Sequence, residues 1–465
     1  MAVIVAVIVV ARSAGKAYSG ARLRRFRMKP LPKLLTWVAT LVFASLFVLV
    51  AVLGWLSRDI AAPDTSDLIL EKVELPADQN AFTHFVAADK PLHWSDDFEK
   101  AVNDFLADKP ADEAMLRGCV ARKAATFEEV QLGLECQRCI TPESDSAYST
   151  AFMMPFRRIG RLLALKARLE QRAGDHAGAT STCVSLLQFG NLIQRDADSL
   201  IFWLPGTVQL NHGLAAARSL LADPALPPAD LARLATALDQ LGPFDQSFIR
   251  AAKGEFRVFA EEIDRGGWLD SRELDQATKL LRKLMPGYLF QPNRTKLGLA
   301  NVCREMIRVA PLDYASMNRK PEDPPSESRL KYLLRPNRVG WEIAAQWSSP
   351  HLLEKKFRLE TEVAATRLLA ACRAYQLAEG RLPDTLAALV PKCLPAVPSD
   401  PFDGKPFRYR PDPGVIYSVG KDLKDSGGSQ KLPSGGKYRP TLRWDAEDAV
   451  FELNPPPPEP AKTTR

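Results

Sequence analysis

The apolar positions of this chain change their period as the sequence advances. From Leu34 to Leu56 they are continuous, and LLTWVATLVFASLFVLVAVLGWL carries no charge over 23 residues. About 20 apolar residues cross a bilayer core, so this stretch predicts a membrane-spanning helix with Trp37 and Trp55 as interfacial anchors. From Phe156 to about Ala310 apolar residues recur at spacings of three and four. Phe156, Ile159, Leu163 and Ala167 mark one amphipathic helix, Ala173-Gly174-Asp175 breaks it, and Ala179, Cys183, Leu186 and Ile193 mark the next. Leu352 to Glu379 predicts one long helix with Phe357, Val363, Ala364, Leu368, Ala371 and Tyr375 along one face, Gly380 as its C-cap and Pro383 as its stop. The period then drops to two. Phe407 and Tyr409 alternate with Arg408 and Arg410, VIYSV (415–419) is β-branched, and RWDAEDAVFEL (443–453) ends in a further strand, with Asp403-Gly404 and Pro413-Gly414 as turns.

These patterns predict a mainly α protein laid out in segments. They are a basic cytoplasmic tail (1–33), a transmembrane helix (34–56), a membrane-proximal mixed region (57–150) and a helical domain (151–316). A proline-rich, charged, linker-like stretch (317–345), an α+β module with a small antiparallel sheet (346–453) and a disordered proline-rich tail (454–465) follow. Within the helical domain, the Gly174-Asp175 turn and a second turn at 222–230 resemble tetratricopeptide hairpins. The lack of a strict 34-residue period gives more weight to an irregular bundle. The opening MAVIVAVIVV is too short to span a membrane, and Met28 would be an alternative start that leaves MKPLPK as a compact basic flank. A cleaved signal peptide is the competing reading of the apolar run, but its length is unusual for one and no clean A-x-A site follows.

Charge removes one function class. The net charge of +7 suggests nucleic acid until its distribution is read. Residues 1–33 hold eight Lys/Arg and no acid, and taking these from the 62 leaves 54 basic residues against 55 acidic. A nucleic-acid binder carries its basic footprint on a folded domain, so none is expected here. By the positive-inside rule the same asymmetry predicts residues 1–33 in the cytoplasm and everything after Ser57 outside. The predicted partners are therefore the lipid bilayer, through Leu34–Leu56, and other proteins.

Enzyme signatures are missing from the sequence: it has no G-x-S-x-G, G-x-x-x-x-G-K-[ST], H-E-x-x-H or G-x-G-x-x-G. The five histidines are scattered, and Cys136-Gln-Arg-Cys139 is the sole C-x-x-C among seven cysteines. Without a second pair it does not make a zinc ribbon, and an odd count leaves at least one thiol unpaired. In YSVGKDLKDSGG, Tyr417 to Gly428, Asp422 and Asp425 offer hard oxygens of the kind Ca²⁺ takes, with Asp445, Glu447 and Asp448 as a second acidic group. Spacing alone favours a solvated turn over a metal loop.

The run AYQLAEGRLPDTLAALVPKCLP…PSDPFDGKPFRYR…IYSVGKDLKDSGG…DAEDAVFEL resembles the C-terminal part of the major, G-type pseudopilins of type II secretion. The matching pieces are Gly380–Pro383, Asp400–Tyr409, Tyr417–Asp422 with Gly427-Gly428, and Asp445–Asp448, spanning roughly residues 352–453. The resemblance implies structural Ca²⁺ ligated by Asp422, Asp445 and Asp448, with Asp425 as a looser addition, and no catalytic residue. The membrane segment lacks the glutamate of a pilin, so filament polymerisation is not expected. The whole layout resembles large bacterial membrane-anchored proteins of unknown function. It implies a single-pass protein of the bacterial inner membrane, with a structural or interaction role at a cell-envelope or secretion assembly. The alternatives are a hydrolase-type envelope enzyme with its site in the helical region, or a divergent type II secretion component.

Overall fold

The computed structural model describes residues 33–71, 73–141, 152–266, 283, 285–317, 335–347, 350–434 and 440–454. Two compact units divide the chain, Met1–Arg58 and Asp59–Arg465. In the first, helix α1 (Lys33–Leu56) contains a 20-residue span, Trp37–Leu56, that is long and apolar enough to cross a membrane. From Trp37 onward its side chains are exposed or half-exposed, Trp37 at 70% and Phe47 at 75%. Such a surface is stable in lipid rather than water.

The second unit is mainly helical. Its first layer is α2 (Ala81–Asp89), α3 (Asp96–Leu106), α4 (Glu113–Ala121) and α5 (Ala124–Glu135). Asn80, Ser95 and Asp112 start α2, α3 and α4 by accepting the N–H groups of Phe82, Phe98 and Met115. This layer rests on α6 (Met153–Arg172) and α7 (His176–Asp196) through edge-to-face rings, including Phe85 against Phe189 at 4.6 Å and Phe82 against Phe156 at 5.7 Å. The predicted break between α6 and α7 is present: Gly174 is left-handed at φ +75° and Asp175 caps Gly178 N–H at 2.9 Å. Helix α8 (Leu200–Leu221) then lies against α7 closely enough that a Cβ on Gly190 or Gly206 would stand 2.5 Å from backbone nitrogen of the other helix. Helix α9 (Pro228–Asp239), after the 222–227 turn, packs on α7 and on the long C-terminal helix. Helices α10 (Phe244–Arg265), α11 (Pro292–Val309) and α12 (Arg338–Trp347) complete the body. Within the stretch expected as a linker, α12 buries Val339 and Ile343, and 318–334 lies outside the described residues.

Helix α13 (Pro350–Glu379) runs as predicted and ends at Gly380, φ +72°. Its burial differs from the expected single face. Between Lys356 and Arg373 nearly every residue is buried or half-buried, because α8 and α9 cover one side and the sheet covers another. The sheet is an antiparallel meander, β1 (Arg408–Arg410), β2 (Val415–Ser418) and β3 (Ala449–Glu452), in register Tyr409↔Ile416↔Phe451. One continuous apolar core runs from Leu210 and Leu234 through Leu359 and Leu368 to Ile416 and Phe451. Segments 151–316 and 346–453 therefore share their core.

Polar residues inside α13 are satisfied locally or by partners. Thr361 and Thr366 donate to the Phe357 and Glu362 carbonyls at 2.8 and 2.6 Å. Glu362, 6% exposed, meets Arg218 of α8 at 2.7 Å, Arg443 at 3.0 Å and the Trp444 indole N–H at 3.1 Å. Burial alone would raise the Glu362 carboxyl, but the two guanidiniums outweigh it and hold the group below the ordinary glutamate range. Arg367 donates to the Leu238 and Leu241 carbonyls, at 2.7 and 3.1 Å through Nη2, and so closes the C-terminus of α9.

Glu362→Ala would leave two buried guanidiniums without their counter-charge. The expected loss is about 3–5 kcal/mol, read as a lower melting temperature. A lowered folded pKa means this stabilisation is complete above the unfolded value of about 4.3 and fades as pH falls through the folded value. The wild-type advantage over Glu362→Ala should therefore shrink on acidification; an advantage that is constant from neutral pH into the acid range would refute the pairing.

Candidate functional site

The four carboxylates singled out in the sequence stand on the loop after β2 and on the approach to β3. The short 3₁₀ turn Gly420–Asp422 leads into Leu423, left-handed at φ +59°, and Asp422 caps Lys424 N–H at 3.1 Å. Asp422 and Asp425 are exposed, and so is Asp445 at the end of the 3₁₀ helix Pro440–Asp445. Asp425 Oδ1 accepts the Tyr417 hydroxyl at 3.2 Å and Gly427 N–H at 3.0 Å, while its Oδ2 lies 3.5 Å from Arg408 Nε.

Asp448 is fully buried and occupies the loop from within. Its Oδ2 accepts Ser426, Gly428 and Ser429 N–H at 3.1, 2.8 and 3.1 Å. Gly427 and Gly428 are left-handed, at φ +71° and +77°, which turns successive amides inward in a concave nest. Burial raises the Asp448 carboxyl, with the nearby Asp425 adding to the rise and the amide bonds opposing it. Thus Asp425 and Asp448 share one turn, whereas Asp422 and Asp445 sit in solvent. Among the described residues, no three His, Cys, Asp or Glu side chains gather as a metal-holding group. Ca²⁺ takes six to eight oxygens; here Asp448 Oδ2 already accepts three N–H groups, while Asp422 and Asp445 face solvent.

No protein-family model, curated protein or solved structure matches the chain.

A second carboxylate, absent from the sequence-based set, organises the same region. Asp400 is 0% exposed and accepts Phe402 N–H at 3.0 Å, Ser418 Oγ–H at 2.8 Å, Val419 N–H at 3.1 Å and Arg408 Nη1–H at 3.2 Å. It ties the Asp-Pro-Phe-Asp-Gly turn to the Tyr-Ser-Val-Gly loop. Arg408 is the shared cation, bonded also to Asp403 through Nη1 at 3.1 Å. The Asp-x-x-Asp spacing around the Pro401 turn was the available signal, but apart from Phe402 N–H the partners come from residues 8 to 19 positions away.

Among the described residues of the body, two clefts carry titratable side chains. One, of about 240 Å³, is lined by Asp245, Asp313, Lys356, Glu360 and Asp400 among others. Its Lys356, 2% exposed, pairs with Glu360 at 2.7 Å, and burial raises the Glu360 carboxyl. The other, of about 310 Å³, holds His93, Cys119, Arg122 and Lys123, with Arg122 Nη2 3.2 Å from the Cys119 thiol. All seven cysteines are free thiols, Cys136 and Cys139 included, and burial pushes Cys183, Cys303 and Cys372 up to about 12. Thiols of that kind are inert at neutral pH.

Asp448→Ala removes the acceptor of three loop amides. The expected cost is ~1–3 kcal/mol, with faster hydrogen exchange at residues 426–429. Unchanged protection there would show that the glycine turn holds itself.

Proposed function

We propose that this chain is a single-pass membrane protein whose extracytoplasmic body acts as a structural or interaction element of a bacterial envelope or secretion assembly. The observation that carries the reading is one exposed apolar helix, preceded by eight basic residues and followed by one compact body. In the body the best-placed buried carboxylates, Glu362, Asp400 and Asp448, bind the fold's own arginines and amides. Residues 352–453 form a pseudopilin-like module in this reading. The long helix ending at a left-handed glycine, the Asp400 turn and the three-stranded meander support it. A hydrolase-type envelope enzyme is the second reading, favoured by the buried Lys356–Glu360 pair at the mouth of a cleft.

Orientation is tested with the half-exposed thiols Cys119, Cys136 and Cys393. A membrane-impermeant maleimide added to intact, reduced spheroplasts should label them; labelling only after lysis would place the body in the cytoplasm and sink the reading.

On the pseudopilin-like reading the Tyr417–Gly428 loop takes a structural Ca²⁺ through Asp422, with Asp445 and Asp448 as the second group and Asp425 as a looser addition. Calorimetric melting in Ca²⁺ against chelator should then shift, and Asp422→Ala should abolish the shift. Identical melting curves would assign closure of the loop to Asp448 and its amides alone.

A further inference from the structure

Only Ser57 and Arg58 lie between Leu56, the last residue of α1, and Asp59. At no more than ~3.6 Å per residue, chain length alone keeps Asp59 within about 11 Å of the end of α1. Asp59 is itself bonded into the body. Its Oδ2 accepts Asn293 N–H at 2.7 Å and its Oδ1 accepts Arg294 N–H at 3.0 Å, while Asn293 Nδ2 donates to Ile60 O at 2.9 Å. It caps the first turn of α11. The strap continues with Arg304, which grips Asp67 at 2.7 and 2.8 Å and donates to Asp64 O at 2.8 Å, and with Lys253, which donates to Asp67 O at 2.8 Å.

The same end of α11 holds α12. Asn337 Oδ1 accepts Gln291 N–H at 2.8 Å and Thr295 Oγ–H at 3.1 Å, and Asn337 O receives Trp341 N–H at 3.0 Å in the first turn of α12. Val339 and Ile343 face inward. Trp341 faces out, 52% exposed, and is the one large exposed aromatic side chain among the described residues of the body. The Arg335 guanidinium stacks 4.3 Å from its ring. Arg58 and Arg294 add basic charge beside Asp59. An amphipathic indole with the Arg335 guanidinium over its ring fits the headgroup zone of a bilayer, where the ring is partly dehydrated and anionic lipid attracts the cation.

We propose that the corner formed by the α11 N-terminus and α12 rests on the lipid headgroup surface, with Trp341 inserted into it. This rests on the reading of α1 as a membrane span, and the test separates the two. The full chain is reconstituted in phosphatidylcholine–phosphatidylglycerol vesicles with and without brominated acyl chains, as wild type and as Trp341→Phe. The emission lost on substitution is that of Trp341, while Trp37 and Trp55 report on α1. Bromolipid should quench this difference emission together with that of the α1 tryptophans. Difference emission that survives while the α1 tryptophans are quenched overturns the docking and leaves the span intact. If surviving emission instead changes with protein concentration, the face belongs to a second copy, and the lipid proposal fails. No quenching of any tryptophan removes the membrane reading itself and the docking with it.

Discussion

Glu362 sits where a helix would otherwise bury leucine, and three parts of the body converge on it. Arg218 arrives from α8, Arg443 and Trp444 arrive from the segment before β3, and the carboxylate belongs to the central helix α13. Two guanidiniums and one carboxylate in a dry interior are tolerable only together, since each alone would carry its full desolvation cost. Arg443 lies 4.2 Å over the Phe451 ring and donates to Val450 O at 3.0 Å, so the cluster also fixes β3. Helix and sheet therefore keep one relative position, because a slide along either would separate charges that water cannot reach.

The C-terminal loops repeat this logic on a smaller scale. Asp400 and Asp448 are both dehydrated, both raised by burial, and both met by backbone amides, with the Ser418 and Arg408 side chains added at Asp400. One carboxylate closes the turn before β1 on the loop after β2, and the other closes the glycine loop on β3. The meander has only three short strands, and such a sheet is marginal by itself. Packing on α13 and these two buried carboxylates give it a fixed register.

Much of the architecture was legible from local pattern. The α6–α7 break at Gly174-Asp175, the stop of α13 at Gly380 and the strands around Tyr409, Ile416 and Phe451 followed from periodicity and turn chemistry. Each depends on neighbours within a few residues. The burial of α13 was not legible, because Thr361, Glu362, Thr366 and Arg373 read as a polar face until partners from distant segments cover them. In the linker-like 317–345 stretch, prolines and charges mark the first half, and α12 begins only after Asn337. Among the candidate ligands, Asp448 looked no different from Asp445 in sequence, three positions away. One is fully buried against three amides and the other lies in solvent.

What the sequence determined by itself was every property set by composition within one segment: a continuous apolar span, its basic flank, the helical periods and the glycine turns. These need only each segment's own composition and its contacts with solvent and its nearest residues. Tertiary structure decided which polar groups are buried and what satisfies them. Glu362 finds Arg218 and Arg443 across 144 and 81 positions, Asp59 finds the start of α11 across 234, and Asp448 finds the glycine loop across about 20. Desolvation makes each of those choices strong, and no local period along the chain records them.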